Sequence, residues 1–171
     1  MTHVLDEFEG RTTPQTHHFQ KGGAVSREAL NHVKAELRQR GAVAYDMWLP
    51  ETHYLPQIIH SDEHIMGSVY GRFNRGFNNK GRGVLIATDQ RVLFLDKKLM
   101  FMHCDEITFM IIGSITYTRS PIMAYVTLHT RLGDYQLRTF NLKNAANFVD
   151  YIETKCLQNQ GSMGEKFEHL T

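Results

Sequence analysis

Residues 84–87 (Val-Leu-Ile-Ala) and 92–95 (Val-Leu-Phe-Leu) are apolar at every position, with only the polar corner Thr88-Asp89-Gln90-Arg91 between them. A strand with one wet face alternates apolar and polar side chains, so a strand apolar throughout must be covered on both faces. The two runs therefore read as neighbouring antiparallel strands between two layers. One face can fill the inside of a curled sheet. The other needs a cover, supplied by an amphipathic helix from the N-terminal part or by a neighbouring subunit.

Five further segments carry strand character: 65–69, 103–109, 114–119, 124–130 and 135–140. In the sixth strand of the resulting seven, Ala124, Val126 and Leu128 alternate with Tyr125, Thr127 and His129. Residues 71–83 read as a long glycine-rich connection, and the 88–91 corner as a turn in which Asp89 accepts locally from the backbone. The period then changes. Ala145, Phe148, Val149, Ile152 and Cys156 form one helical stripe after the cap candidates Asn141 and Asn144. Upstream, Ser26 is placed to cap a helix with Glu28 in its first turn, Ala29, Leu30, Val33 and Leu37 as its stripe, and Gly41 as its stop. A shorter helix begins near Pro50, with Tyr54, Leu55, Ile58 and Ile59 as its apolar side, and Trp48 is expected to anchor this part to the main body. The resulting division is a mobile N-terminal arm over 1–24, a helical extension over 25–62, a β domain over 63–157 and a flexible tail over 158–171.

A formal net charge of +1 argues against wholesale wrapping by nucleic acid, so any electrostatic role is local. The two cysteines, Cys104 and Cys156, lie far apart in apolar segments and read as buried free thiols. Acidic residues occupy the first positions where a leader needs bases, and no apolar segment reaches the length of a membrane span. The expectation is a cytoplasmic, soluble protein.

Three stretches carry a resemblance. Residues 83–95 (GVLIATDQRVLFL), the spacing Phe109-x-x-Ile112-x-x-Ile115, and the 146–152 helix with Phe148, Val149 and Ile152 are similar to bacterial pleckstrin-homology-like domains, in particular the YokE-like kind. Eukaryotic GRAM domains share a similar hairpin. The resemblance covers roughly 64–157 and implies a mainly β fold with α: a PH-like barrel of seven antiparallel strands capped by a C-terminal helix, here with an N-terminal helical extension. It implies a non-catalytic binding or assembly module. Where many eukaryotic members have a tryptophan in the closing helix, this chain has Phe148, which weakens any transfer of their function.

Residues 71–83 hold Arg72, Phe73, Arg75, Phe77, Lys80 and Arg82 without an acid. In the resembling fold this is the loop between the first two strands, at the open end of the barrel, where lipid-binding members grip a phosphorylated headgroup. Lys80-x-Arg82 resembles the end of that pattern, with Arg72 at the earlier base. Four charges alone make a weak anchor, so a solvated flexible loop is the plainer reading. Signatures of a P-loop and of an RNA-recognition motif both break at 76–80.

His60-Ser-Asp-Glu-His64 lacks metal-site spacing and reads as a solvated turn. His103 and Cys104 fall on opposite faces of a strand and cannot act as a pair. No catalytic residue, metal or cofactor is expected. The apolar 99–102 (Leu-Met-Phe-Met) and 110–112 read as core filling, or more sharply as a partner surface. The expected partners are a second copy or another protein through the outer apolar face, with anionic membrane lipid at the 71–83 loop as the alternative; nucleic acid is not expected.

Overall fold

The computed structural model describes the backbone of residues 16–19, 25–74 and 80–168, and the side chains of 25–74 and 80–159. Seven antiparallel strands follow the expected order: β2 (Ile65–Asn74), β3 (Lys80–Thr88), β4 (Val92–Lys97), β5 (Met102–Ile107), β6 (Ile112–Arg119), β7 (Ala124–Thr130) and β8 (Gly133–Thr139). A short strand within the N-terminal arm, β1 (Thr16–Phe19), adds itself to the edge of β5, and the rest of that arm lies outside the described residues. Neighbours run β1-β5-β4-β3-β2-β8-β7-β6. Strand β2 is the corner. It pairs with β3 along its length and with β8 only through Arg72↔Arg138 and Phe73↔Leu137, so the sheet folds back on itself there.

The closing helix α3 (Leu142–Glu168) plugs this shell. Asn141 Oδ1 accepts from the Asn144 backbone N–H at 3.1 Å and caps it. Ala145, Phe148 and Ile152 are fully buried in the inner core with Leu85, Phe94, Val126 and Leu137, and Cys156 packs at its margin. The helix continues past the point where the flexible tail was expected, and its side chains from residue 160 on lie outside the described set.

A second core lies on the other side of the sheet. Val84, Ile86, Leu93 and Leu95 point away from α3 and are covered by α1 (Arg27–Gln39) and by the segment after it, through Val33, Leu37, Met47, Leu55 and Ile58. The extension is the predicted cover. Helix α1 begins after Ser26, although the Ser26 hydroxyl makes no capping bond, and Gly41 follows its end with φ 97°, a conformation a side chain resists. Polar ties fix the extension in place. Glu36 accepts from the Ile65 N–H and from His64, both at 3.0 Å, and Arg40 donates to the Ile65 carbonyl at 3.1 Å. From α2 (Pro50–Tyr54), Thr52 bonds the Tyr70 hydroxyl at 2.7 Å, and Glu51 accepts from the Lys97 N–H at 3.1 Å.

Three local expectations are corrected. Trp48 does not anchor anything: it is 78% exposed, with Lys34 over its ring at 5.4 Å. At the 88–91 turn the Thr88 hydroxyl, not Asp89, accepts from the Gln90 and Arg91 N–H groups, while Asp89 reaches across to the His64 N–H. The 60–64 segment is not simply solvated, because Glu63 turns inward and is buried. Arg91 meets Glu63 with two N–H donors at 3.0 Å, and Thr88 adds a third bond at 2.6 Å. Burial alone would raise the Glu63 carboxyl; those bonds overcome it and hold the group below its ordinary range. No helix among the described residues is long and apolar enough to cross a membrane.

Candidate functional site

The stretch read as a flexible loop is mostly paired strand. Strands β2 and β3 run in register as Gly71↔Gly83, Arg72↔Arg82, Phe73↔Gly81 and Asn74↔Lys80, leaving only 75–79 between them. Alternation sorts the side chains. Positions 71, 73, 81 and 83 share the inner face with Val69 and Leu85; positions 72 and 82 share the outer face with Tyr70 and Val84.

The glycines therefore serve packing. A Cβ on Gly83 would lie 2.8 Å from the Leu95 carbonyl oxygen and 3.1 Å from the Phe73 ring. A Cβ on Gly71 would lie 2.3 Å from the Arg138 carbonyl oxygen, so glycine is what lets β2 and β8 meet at the corner. Phe73 is buried, edge-on to Phe94 with centroids 5.3 Å apart. Arg75 and Phe77 lie outside the described residues.

Register then builds a row that the sequence does not display. Arg82 lies opposite Arg72, Arg72 opposite Arg138, and Arg138 opposite Tyr125, on the successive strands β3, β2, β8 and β7. Strand spacing sets neighbouring members about 5 Å apart. Lys80, Gln136 and these four side chains line a groove of about 670 Å³ that contains no carboxylate. Like charges directly opposite one another on a sheet destabilise it. Among the described residues no acid forms an ion pair with Arg72, Lys80, Arg82 or Arg138. Arg82 is held by Tyr45 of the extension, which accepts its hydrogen bond and presents its ring 5.4 Å from the guanidinium carbon.

Beside the groove, under the edge of the extension, is a hollow of about 210 Å³ whose wall includes Arg72, Arg82 and Arg138 again. Its other sides bring Val43, Tyr45 and Leu49 opposite Phe140, Asn141 and Asn144. Two acidic residues, Asp46 and Glu51, also belong to its lining; burial raises both above their ordinary values.

Of the expected residues, the structure unites Arg72, Lys80 and Arg82 along one groove, which Phe73 also borders although its ring is buried in the inner core. It adds Arg138, Tyr125 and Gln136. Alternation in 124–130 and 135–140 marks Tyr125 and Arg138 as outward-facing, but only the β2–β8 register says which outward position meets Arg72.

The His103 and Cys104 pair on β5 has a structural setting. Cys104 is fully buried, and burial pushes its thiol up to about 12. His103 bonds Asp105 at 3.0 Å on its own face of β5, away from that thiol. Among the described residues no cluster of three His, Cys, Asp or Glu side chains could hold a metal.

The family model described as Bacterial PH domain matches residues 59–154. No curated protein matches the chain. Among solved structures, the C-terminal domain of an unknown protein from Leishmania infantum is similar with a TM-score of 0.43 and 17% identity, over 60% of this chain and 92% of that one. A mutant of the DH/PH domains of p115-RhoGEF is similar with a TM-score of 0.42 and 10% identity, over 75% of this chain and 41% of that one. An N-terminally truncated linker-DH/PH form of p115-RhoGEF gives 0.42 and 11%, over 77% and 40%.

Proposed function

The chain belongs to the bacterial PH-domain family, whose domains commonly mediate binding or assembly, and from that premise we propose a non-catalytic module that holds a phosphate-bearing anion. The observation that carries the proposal is the Arg82–Arg72–Arg138 row, three guanidinium groups on adjacent strands without a compensating acid in their groove. Arginine suits this task because its planar donor fork matches phosphate oxygens two at a time. Lys80 adds a fourth charge at the rim. The anion is either a soluble phosphate compound or a phosphorylated lipid headgroup, since both offer the same oxygens.

Assembly through the outer apolar face, the first expectation from the sequence, cannot use the 84–95 hairpin. Val84, Ile86, Leu93 and Leu95 are fully buried beneath the extension. A smaller contact remains at the β4–β5 turn, where Leu99 is 97% and Met100 88% exposed. That tip favours a second reading, association with a protein or a second copy, which light scattering over a concentration series tests directly.

The principal test compares the native protein with an Arg72/Arg82/Arg138→Ala variant in two assays: calorimetric titration with tripolyphosphate, and co-sedimentation with vesicles containing anionic phospholipid. Binding that the variant loses supports the proposal, and the assay in which it is lost identifies the source of the phosphate. Equal behaviour of the two proteins in both assays refutes it.

A further inference from the structure

The groove and the hollow share one wall, and their other sides differ in chemistry. The groove side is cationic and free of carboxylates; the hollow side carries Asp46 and Glu51 with apolar and aromatic surface. Resting on the phosphate-binding reading above, we propose that the two form one cleft for a nucleoside phosphate, with the phosphates across Arg82, Arg72 and Arg138 and the base in the hollow.

Size supports a ligand in two parts. Whole small-molecule sites usually enclose about 300–1,000 Å³. The hollow, at about 210 Å³, takes one moiety, and the groove of about 670 Å³ takes the remainder.

Charge orients that ligand. Carboxylates in the hollow repel a phosphate and attract N–H donors, so an anion that enters the cleft is turned toward the arginines and an N–H-bearing body toward the acids. Aromatic surface suits a flat ring. Tyr45 and Phe140 stand at the mouth, 56% and 66% exposed, and Tyr45 is held there by its bond to Arg82.

The polar groups also ask for a donor. Asn141 is fully engaged, its Oδ1 taking the Asn144 N–H and its Nδ2 donating to the Gly41 carbonyl at 2.9 Å. Asn144 is not. Its Nδ2 donates to Ser68 Oγ at 3.1 Å, while its Oδ1 is buried with no protein partner. A buried amide oxygen without a hydrogen bond is costly, and Asn144 lines the hollow, so an exocyclic amine or ring N–H of a base is the complementary group once the amide turns toward it. Bare polyphosphate has neither a flat apolar body nor such a donor, and a glycerophosphate headgroup lacks the flat body.

The test titrates the full chain with tripolyphosphate and with each of the four common ribonucleoside triphosphates. At least one nucleotide is expected to bind about tenfold more tightly than tripolyphosphate, the scale of stacking one base on an aromatic side chain. Two variants at half-exposed or more exposed positions probe the hollow without disturbing the core: Phe140→Ala removes one aromatic wall and Val43→Trp fills the space. Each should reduce nucleotide affinity about tenfold and leave tripolyphosphate affinity unchanged. Equal affinity for tripolyphosphate and all four nucleotides overturns the inference while the phosphate reading stands. So does a loss in both variants that is the same for both ligands, or binding to anionic vesicles alone. If no polyphosphate binds and vesicles do not either, both conclusions fall together.

Discussion

The outer face of β3 is dry at one end and wet at the other. Val84 and Ile86 lie beneath the extension at 0% exposure, whereas Lys80 and Arg82, a few residues earlier on the same strand, stand outside it. The boundary is Tyr45, which belongs to the extension and touches Arg82. Under the cover, these positions are apolar because their side chains pack against the apolar stripe of the extension. Beyond it, water screens charge, and the sheet tolerates three arginines side by side that would be prohibitive under the cover. What tolerance does not explain is why their groove is lined by no acid, Asp46 and Glu51 lying on the side of the hollow under the extension. The dry half is organised for stability, and the wet half carries a charge arrangement that stability alone would not select.

The strongest challenge to that contrast is removal of the extension. Deleting residues 1–62 should leave Val84, Ile86, Leu93 and Leu95 facing water. Each fully buried aliphatic side chain contributes about 1.5–3 kcal/mol, so their sum is comparable to a whole domain's stability of about 5–15 kcal/mol. The expected result is an aggregated or unfolded product by light scattering and circular dichroism; a stable monomer would show that the cover is dispensable.

Next in size is Glu63→Ala, which leaves Arg91 half-paired beneath the same cover. A cost of about 3–5 kcal/mol in urea unfolding is expected. Its pH dependence has a definite sign. The Glu63 carboxyl is held below its ordinary value of 4.5, so its contribution is complete above that pH and is lost as pH falls through the depressed folded value. Asp46 and Glu51 act in the opposite direction. Their raised values favour the fold at low pH and cost stability as pH rises through them, so the comparison must be between native and variant proteins rather than between pH values alone. A native-minus-variant difference that does not shrink below pH 4.5 would contradict the assignment.

A smaller effect tests how the wet half is assembled. Gly71→Ala places a methyl against the Arg138 carbonyl and forces β8 away from β2. Overpacking of this kind costs about 1–3 kcal/mol, and tripolyphosphate binding should weaken because Arg138 leaves the row. Unchanged affinity would mean that Arg138 contributes nothing there.

Smallest in stability, and most telling, is Arg72→Thr. Removing the middle charge relieves repulsion on both sides, so stability should rise by about 0.2–1 kcal/mol. Tripolyphosphate affinity should fall by about tenfold, because hydrogen bonds to charged groups contribute about 1.5–3 kcal/mol. A variant that loses stability would mean the row is a structural feature after all.

Much of this was legible in the chain. Seven strands and the closing helix followed from period, and the cover over 84–95 followed from two runs with no polar position. The site was legible only in part. Gly71-Arg72-Phe73 and Gly81-Arg82-Gly83 already alternate small or aromatic with basic, which is a strand's signature, yet their glycine content suggested a loop. Glu63, among histidines and acids, looked solvated because its partner Arg91 lies across the sheet and not beside it in sequence. Trp48 misled in the other direction: hydrophobic size expects burial, but its place on the extension leaves it facing out.

The linear order of residues thus settled which segments extend, which coil, and that one hairpin had to be enclosed on both sides, because those properties depend on neighbours two to four positions away. It did not settle which outward side chains would converge. That required the β2–β8 corner, where the absence of a side chain at Gly71 lets distant strands touch and aligns Arg138 with Arg72 and Arg82. Charge proximity across a sheet is a matter of register between remote strands, and register is fixed only when the whole shell closes.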